Sequence, residues 1–179
     1  MTSSVFDRDS LFLKSDRIYK HQLLRVNYTT YDVRRSQDVI NPRTSHRDVM
    51  VLANHDETDT DTPQHLFFYA RVLGIYHTNV VYTGPGMLDY RSRRLDFLWV
   101  RWFQSAEPGT IGWEECRLDK VSFLPMADDH VFDFIDPKDV VRGSHLVPAF
   151  LDGRVHPDLI PMSQCAEDTY DWRYCYVNR

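Results

Sequence analysis

Two runs set the pattern of the chain. "HLFFYARVLGIYHTNV" (residues 65–80) and "LDFLWVRWF" (residues 95–103) carry apolar side chains at both odd and even positions. A strand with one wet face alternates, whereas a strand covered on both sides does not. The runs therefore predict two paired strands buried on both faces. They are joined through "YTGPGMLDYRSRR", where Gly84, Pro85 and Gly86 signal a turn. Each run also holds an arginine among aromatics, Arg71 beside Tyr69 and Arg101 between Val100 and Trp102. The arginines fall at matching places, and each is expected to pair with a nearby acid, Asp96 or Glu114.

The rest of the chain is read by the same rule. Residues 18–35, "IYKHQLLRVNYTTYDVRR", look extended, with Leu24, Val26 and Tyr28 on one side. "INPRTSHRD" is a turn, because Pro42 fixes its own φ and biases Asn41 away from helix. "VMVLAN" predicts a short buried strand, "CRLDKVSFLP" another, and "HVFDFIDPKDVVRGSHLVPAF" one or two more, broken at Asp136 and Pro137. The tail "DTYDWRYCYVNR" would place Tyr170, Trp172, Tyr174 and Tyr176 on one strand face. No stretch shows a 3.6-residue apolar stripe over ten positions. The expectation is a mainly β domain of about six to eight short strands, a small barrel or sandwich, over residues 18–179. Residues 1–17 read as a flexible arm or one docked strand.

Composition narrows the class. At 179 residues, 42% hydrophobic and 26% charged, the chain can bury a core without staples. Aromatics at 13% with only 7 glycines favour strands. A net charge of −5 argues against holding nucleic acid by the overall field, though not against a local basic patch. Three separated cysteines and no CxxC point to a reducing compartment. No run reaches transmembrane length, and the N-terminus lacks a signal-peptide pattern. A soluble intracellular protein is expected.

Candidate chemistry is sparse. The eight histidines, among them His55, His65, His77, His130, His145 and His156, form neither HExxH nor a finger spacing. There is no GxSxG elbow and no phosphate-binding glycine loop. "HDETDTDTPQ" lacks the glycine and the acid spacing of a calcium loop. Cys116 sits in "EECRL", where acids would raise a thiol pKa rather than activate it. The chain reads as neither an enzyme nor a cofactor binder. Two constellations remain. Tyr69, Trp99, Trp102 and Trp113, with Asp96 or Glu114 as the acid, could cage a methylated ammonium group by cation–π attraction, unless they are simply core. Arg91, Arg93 and Arg94, with Arg34 and Arg35, could contact nucleic-acid phosphates, unless they are dispersed solubilising charge.

The order of motifs resembles known families. Ala70, Arg71, Val72 and Ile75, followed by Val100, Trp102 and Phe103, resemble the paired-strand motif of bromo-adjacent homology (BAH) domains and related SH3-like barrels. The usual Tyr/Arg-Arg-Pro run is replaced from Gln104 on. A longer resemblance, through "RVNYTTYDVRRSQDVINPRTSHRDVMVLA", "FYARVLGIYH", "FLWVRWF", "DPKDVVRGSHLVPAF" and "DWRYCYVNR", is to a domain of unknown function in fungal transposon-encoded proteins of the Plavaka or KDZ type. These resemblances imply a small, partly open SH3-like or BAH-like barrel with irregular loops. They imply a nuclear, non-enzymatic interaction module that binds chromatin, DNA or a protein partner. The alternatives are a self-associating structural protein, with the C-terminal aromatic strand as its contact edge, or a metal-dependent hydrolase or nuclease using His and Asp residues.

Overall fold

The computed structural model describes residues 10–30, 32–52, 67–87, 89–106 and 118–178. Among them run eleven strands: β1 (Leu11–His21), β2 (Leu24–Thr29), β3 (Arg35–Ile40), β4 (Asp48–Leu52), β5 (Phe67–Tyr82), β6 (Arg93–Ser105), β7 (Asp119–Phe123), β8 (Phe132–Ile135), β9 (Val140–Gly143), β10 (His145–Pro148) and β11 (Cys175–Asn178). The two opening runs are β5 and β6. They pair antiparallel from Ala70 opposite Trp102 to Val80 opposite Arg93, with one register shift between Val72 and Gly74.

This long ribbon is the spine of the sheet. Each of its strands serves two outer partners in turn. β5 pairs with β4 through Phe67–Arg71 and with β1 through Ile75–Tyr82. β6 pairs with β8 through Leu98–Arg101 and with β7 through Phe103–Ser105. Strand twist and the irregularity at Gly74 let one end of the ribbon curl away from the other. The sheet then runs β10–β11–β7–β6–β5–β4–β9. Its two terminal strands, β9 and β10, are consecutive in the chain and separated by Ser144 alone. The result is a nearly closed barrel with one unsealed seam, so the mainly β barrel expected from the sequence is the fold observed.

Parity along the strands divides the core in two. Val49, Val51, Ala70, Val72, Leu98 and Val100 share one face of β4–β6, packed with Val26 and Ile40 of the β2–β3 hairpin. The opposite face brings Met50, Tyr69, Phe103, Val121, Cys175 and Val177 together inside the barrel. Both faces of β5 and β6 are covered, which is why neither run alternates. Fully burying each such aliphatic side chain contributes about 1.5–3 kcal/mol before entropy is counted.

Several expectations shift. The run read as one extended segment over residues 18–35 is split, because β1 ends at His21 and β2 starts at Leu24. Of the two readings of residues 1–17, a flexible arm or a docked strand, residues 11–17 follow the second, lying in β1 against β5, while residues 1–9 fall outside the described residues. The C-terminal aromatic stripe is not one strand. Tyr170 sits in a 3-10 turn, Trp172 makes an isolated bridge to Arg154, and only Cys175–Asn178 is sheet. β11 lies between β10 and β7, so it is not a free edge for self-association. The irregular stretch before it is tied by Asp168, whose carboxylate accepts from the backbone of Met162 (3.2 Å) and Ser163 (3.4 Å) and from His156 Nε2 (3.2 Å). The acidic loop at residues 55–64 lies outside the described residues. Among the described residues no helix is long and apolar enough to cross a membrane.

Candidate functional site

The two arginines explain the inside of the barrel. Asp48 of β4 stands opposite Arg71 of β5, which stands opposite Arg101 of β6. All three share the inward face with Met50, Tyr69 and Phe103, two residues away along each strand. Arg71 Nε donates to Asp48 Oδ1 at 2.8 Å, and its Nη1 to Asp171 Oδ1 at 2.7 Å. Arg101 Nη1 donates to the other oxygen, Asp171 Oδ2, at 2.6 Å. One carboxylate thus bridges two guanidinium groups. Phe123 lies over both, with Arg101 Cζ 3.7 Å and Arg71 Cζ 4.7 Å from its ring centre. Arg101 is only 5% exposed, so these charges support the barrel from within and are not offered to a partner. The expected acids are corrected accordingly. Asp96 is bound by Arg94 instead, at 2.7 Å, and Glu114 lies outside the described residues.

Burial and pairing set the charge states. Burial opposes the charge on Arg71, but Asp48, by charge and hydrogen bond, and then Asp171 outweigh it and hold the guanidinium above its ordinary value. Among the described residues Asp171 is the one carboxylate bonded to Arg101, and burial pushes the Arg101 pKa down. Both stay charged near neutrality, because arginine starts so high. Burial pushes the nearby Cys175 thiol up to about 11, so it is no nucleophile at neutral pH.

Two residues further along the same strands, the barrel rim opens into a cavity of about 540 Å³. Because β5 begins and β6 ends here, both faces contribute to the walls. Phe67, Tyr69 and Phe103 come from the inner face, and Phe68 and Trp102 from the outer. Phe68 and Trp102 meet edge to face with centroids 6.3 Å apart, and Phe103 stacks on Phe123 at 4.1 Å. Tyr69 Oη donates to buried Asp119 Oδ2 at 2.9 Å. Asp119 and Asp133 add carboxylates to the lining and His130 an imidazole. The arginine network holds the Phe123 ring against which Phe103 packs, so this wall is set before any ligand arrives. Aromatic faces beside carboxylates suit an organic cation, attracted by the ring quadrupoles and the negative charge together.

The predicted cage residues therefore divide. Tyr69 and Trp102 line the cavity. Trp99, three positions from Trp102, projects from the other face of β6, against Phe132 and Phe134. It lines a separate apolar groove with Leu11, Leu13, Ile18 and Phe97. Asp96 is exposed on its side chain and engaged by Arg94, away from the cavity. Trp113 lies outside the described residues. Phe67, Phe68, Asp119 and Asp133 were not anticipated in this role. Phe67 and Phe68 were visible in the opening run, whereas Asp119 is brought in by the β6–β7 pairing, which nothing local in the sequence announces.

The basic candidates fall into two groups. Arg34 and Arg35 sit at the turn and start of the β2–β3 hairpin, and Arg34 is paired to Asp32 at 3.0 Å. Arg91 precedes β6 and Arg93 and Arg94 open it; Arg93 lies 3.7 Å from Asp89 and Arg94 is bound to Asp96. Three of these five guanidinium groups thus already face a carboxylate. Among the described residues no three His, Cys, Asp or Glu side chains converge to hold a metal ion. No family model, no curated protein and no solved structure matches the chain.

Proposed function

We propose that the chain is a non-enzymatic interaction module that binds a peptide through the aromatic rim cavity, taking up a methylated ammonium side chain. The observation that carries this reading is the cavity itself, with five aromatic rings and two carboxylates around about 540 Å³. Methylation enlarges and desolvates an ammonium head, so that it gains from aromatic walls and loses little by leaving water. An unmodified lysine, strongly hydrated, gains less. The resemblance to BAH-like modules favours the same class of ligand, and with it a chromatin or other nuclear protein partner. The arginine groups support nucleic acid less well, because their charge is largely met by neighbouring acids.

The test is calorimetric titration of the whole chain with one lysine peptide in unmodified and trimethylated forms. Trimethylation is expected to tighten binding by about tenfold or more, the equivalent of 1–2 kcal/mol of cation–π attraction in a desolvated site. Equal affinity for the two forms, or none for either, contradicts the reading.

A further inference from the structure

The seam of the barrel forms a second, differently built cavity. Where β9 passes into β10, a cleft of about 360 Å³ opens between the β3, β4 and β11 neighbourhoods. Its polar lining is Asp38, His46, Asp48, Arg142, Ser144, His145 and Asn178. The aromatic rim cavity shares none of these residues.

Among the described residues, two buried donor atoms in this cleft lack a hydrogen-bond partner. Ser144 is 8% exposed, and its Oγ has no hydrogen-bond partner. Arg142 Nε is buried and likewise unpartnered. Its guanidinium lies 4.8 Å over the Tyr28 ring, and Nε is 3.8 Å from Asp38 Oδ2, too far for a hydrogen bond. The acids around it are already engaged. Asp38 Oδ2 accepts from the backbone N–H of Gly143 at 2.9 Å, and Asp48 is held by Arg71. The close packing of Gly143 against Ile40 and Asp38, where an added Cβ would lie 3.1 Å from Ile40 Cδ1, fixes the strand beside the cleft. Buried polar groups are nearly always satisfied in a folded protein, by protein, by water or by a ligand. What this cleft has left to offer is a guanidinium, a hydroxyl and the side chains of His46, His145 and Asn178.

We propose that the seam cleft binds a small oxyanion, a carboxylate or a phosphate group, with Arg142 and Ser144 as its donors. A guanidinium edge beside a hydroxyl matches the lone pairs of such a group. The Asp38 charge limits the affinity, and its bond to Gly143 keeps it turned to the strand. Water alone in the cleft is the competing account, since a polar site of this volume holds several molecules.

The experiment is an amide-shift titration of the whole chain at low ionic strength, with inorganic phosphate in one arm and acetate in the other. Saturable shifts at Ser144 and His145 are expected in at least one arm, and the arms show which oxyanion is preferred. Arg142→Gln should weaken binding about tenfold, the effect of losing a charged hydrogen bond. Ser144→Ala should weaken it several-fold without lowering the melting temperature of the free chain, because the hydroxyl it removes is unpaired. No saturable shift in either arm overturns the proposal and leaves the cleft to water. So do shifts that both variants leave unchanged, and so does a Ser144→Ala chain that melts earlier.

Discussion

The Asp171 carboxylate bridges two guanidinium groups, one of which has no other carboxylate, and that makes it the most consequential side chain inside the barrel. Its removal would strand Arg101, which has no other carboxylate within bonding distance among the described residues. Breaking a buried ion pair from one side is expected to cost about 3–5 kcal/mol, far more than the pair is worth against an apolar replacement. Asp171→Asn should therefore lower the urea midpoint sharply. Asp96→Asn breaks only the exposed pair with Arg94 and should cost about 0–1 kcal/mol. Equal losses in the two variants would refute the assignment of the arginines to Asp48 and Asp171. The sequence showed that Arg71 and Arg101 sit at matching places and need acids. It did not show which, because Asp48 is 23 residues from Arg71 and Asp171 is 100. Nearness in sequence favoured Asp96, and the closer Arg94 had already taken it.

Strands were legible in proportion to how apolar they are. β5 and β6 announce themselves by covered faces and an intervening glycine turn. The break between β2 and β3 does not, because its turn uses the non-glycine Val33 at positive φ. A β-branched residue in that conformation is strained. Val33 is 83% exposed, so replacing it removes no packing. Val33→Gly is expected to raise stability by about 0.5–1 kcal/mol in denaturant titration, the relief of strain exceeding the added entropy of the unfolded chain. A loss of stability would contradict that turn geometry. The placing of β11 inside the sheet gives a second expectation. Cys175 faces the barrel interior while Cys165 is exposed. Alkylation of the native chain near neutral pH should therefore modify Cys165 and spare Cys175, read by peptide mass mapping. The Cys175 pKa stands at about 11, above its ordinary 9.0, so the folded state holds the proton longer than the unfolded state. Its contribution to stability is complete below pH 9 and is lost as the pH rises towards 11. Thermal melts across that window should show the decline, and a chain with Cys175→Ala should show less of it.

At the scale of the whole molecule, the barrel was predictable and the site only half so. Short apolar runs, many aromatics and few glycines are what a small β barrel requires. The rim cavity, however, depends on which strand ends meet at the rim, and composition does not encode that. Tyr69 and Trp102 were legible as aromatics on the paired strands, and they share the cavity. Trp99 carried the same signal, yet it lies four positions before Phe103 along β6, roughly 13 Å from the rim at strand spacing, and packs against Phe132 and Phe134 in a separate groove. That division makes the two tryptophans each other's control. Calorimetric titration of a trimethyllysine peptide into the parent chain, Trp102→Ala and Trp99→Ala separates the rim cavity from the groove. Trp102→Ala is expected to weaken binding about tenfold or more, and Trp99→Ala to leave it within about twofold of the parent. Binding that survives Trp102→Ala, or that is lost equally in Trp99→Ala while both variants remain folded, would contradict the rim-cavity reading.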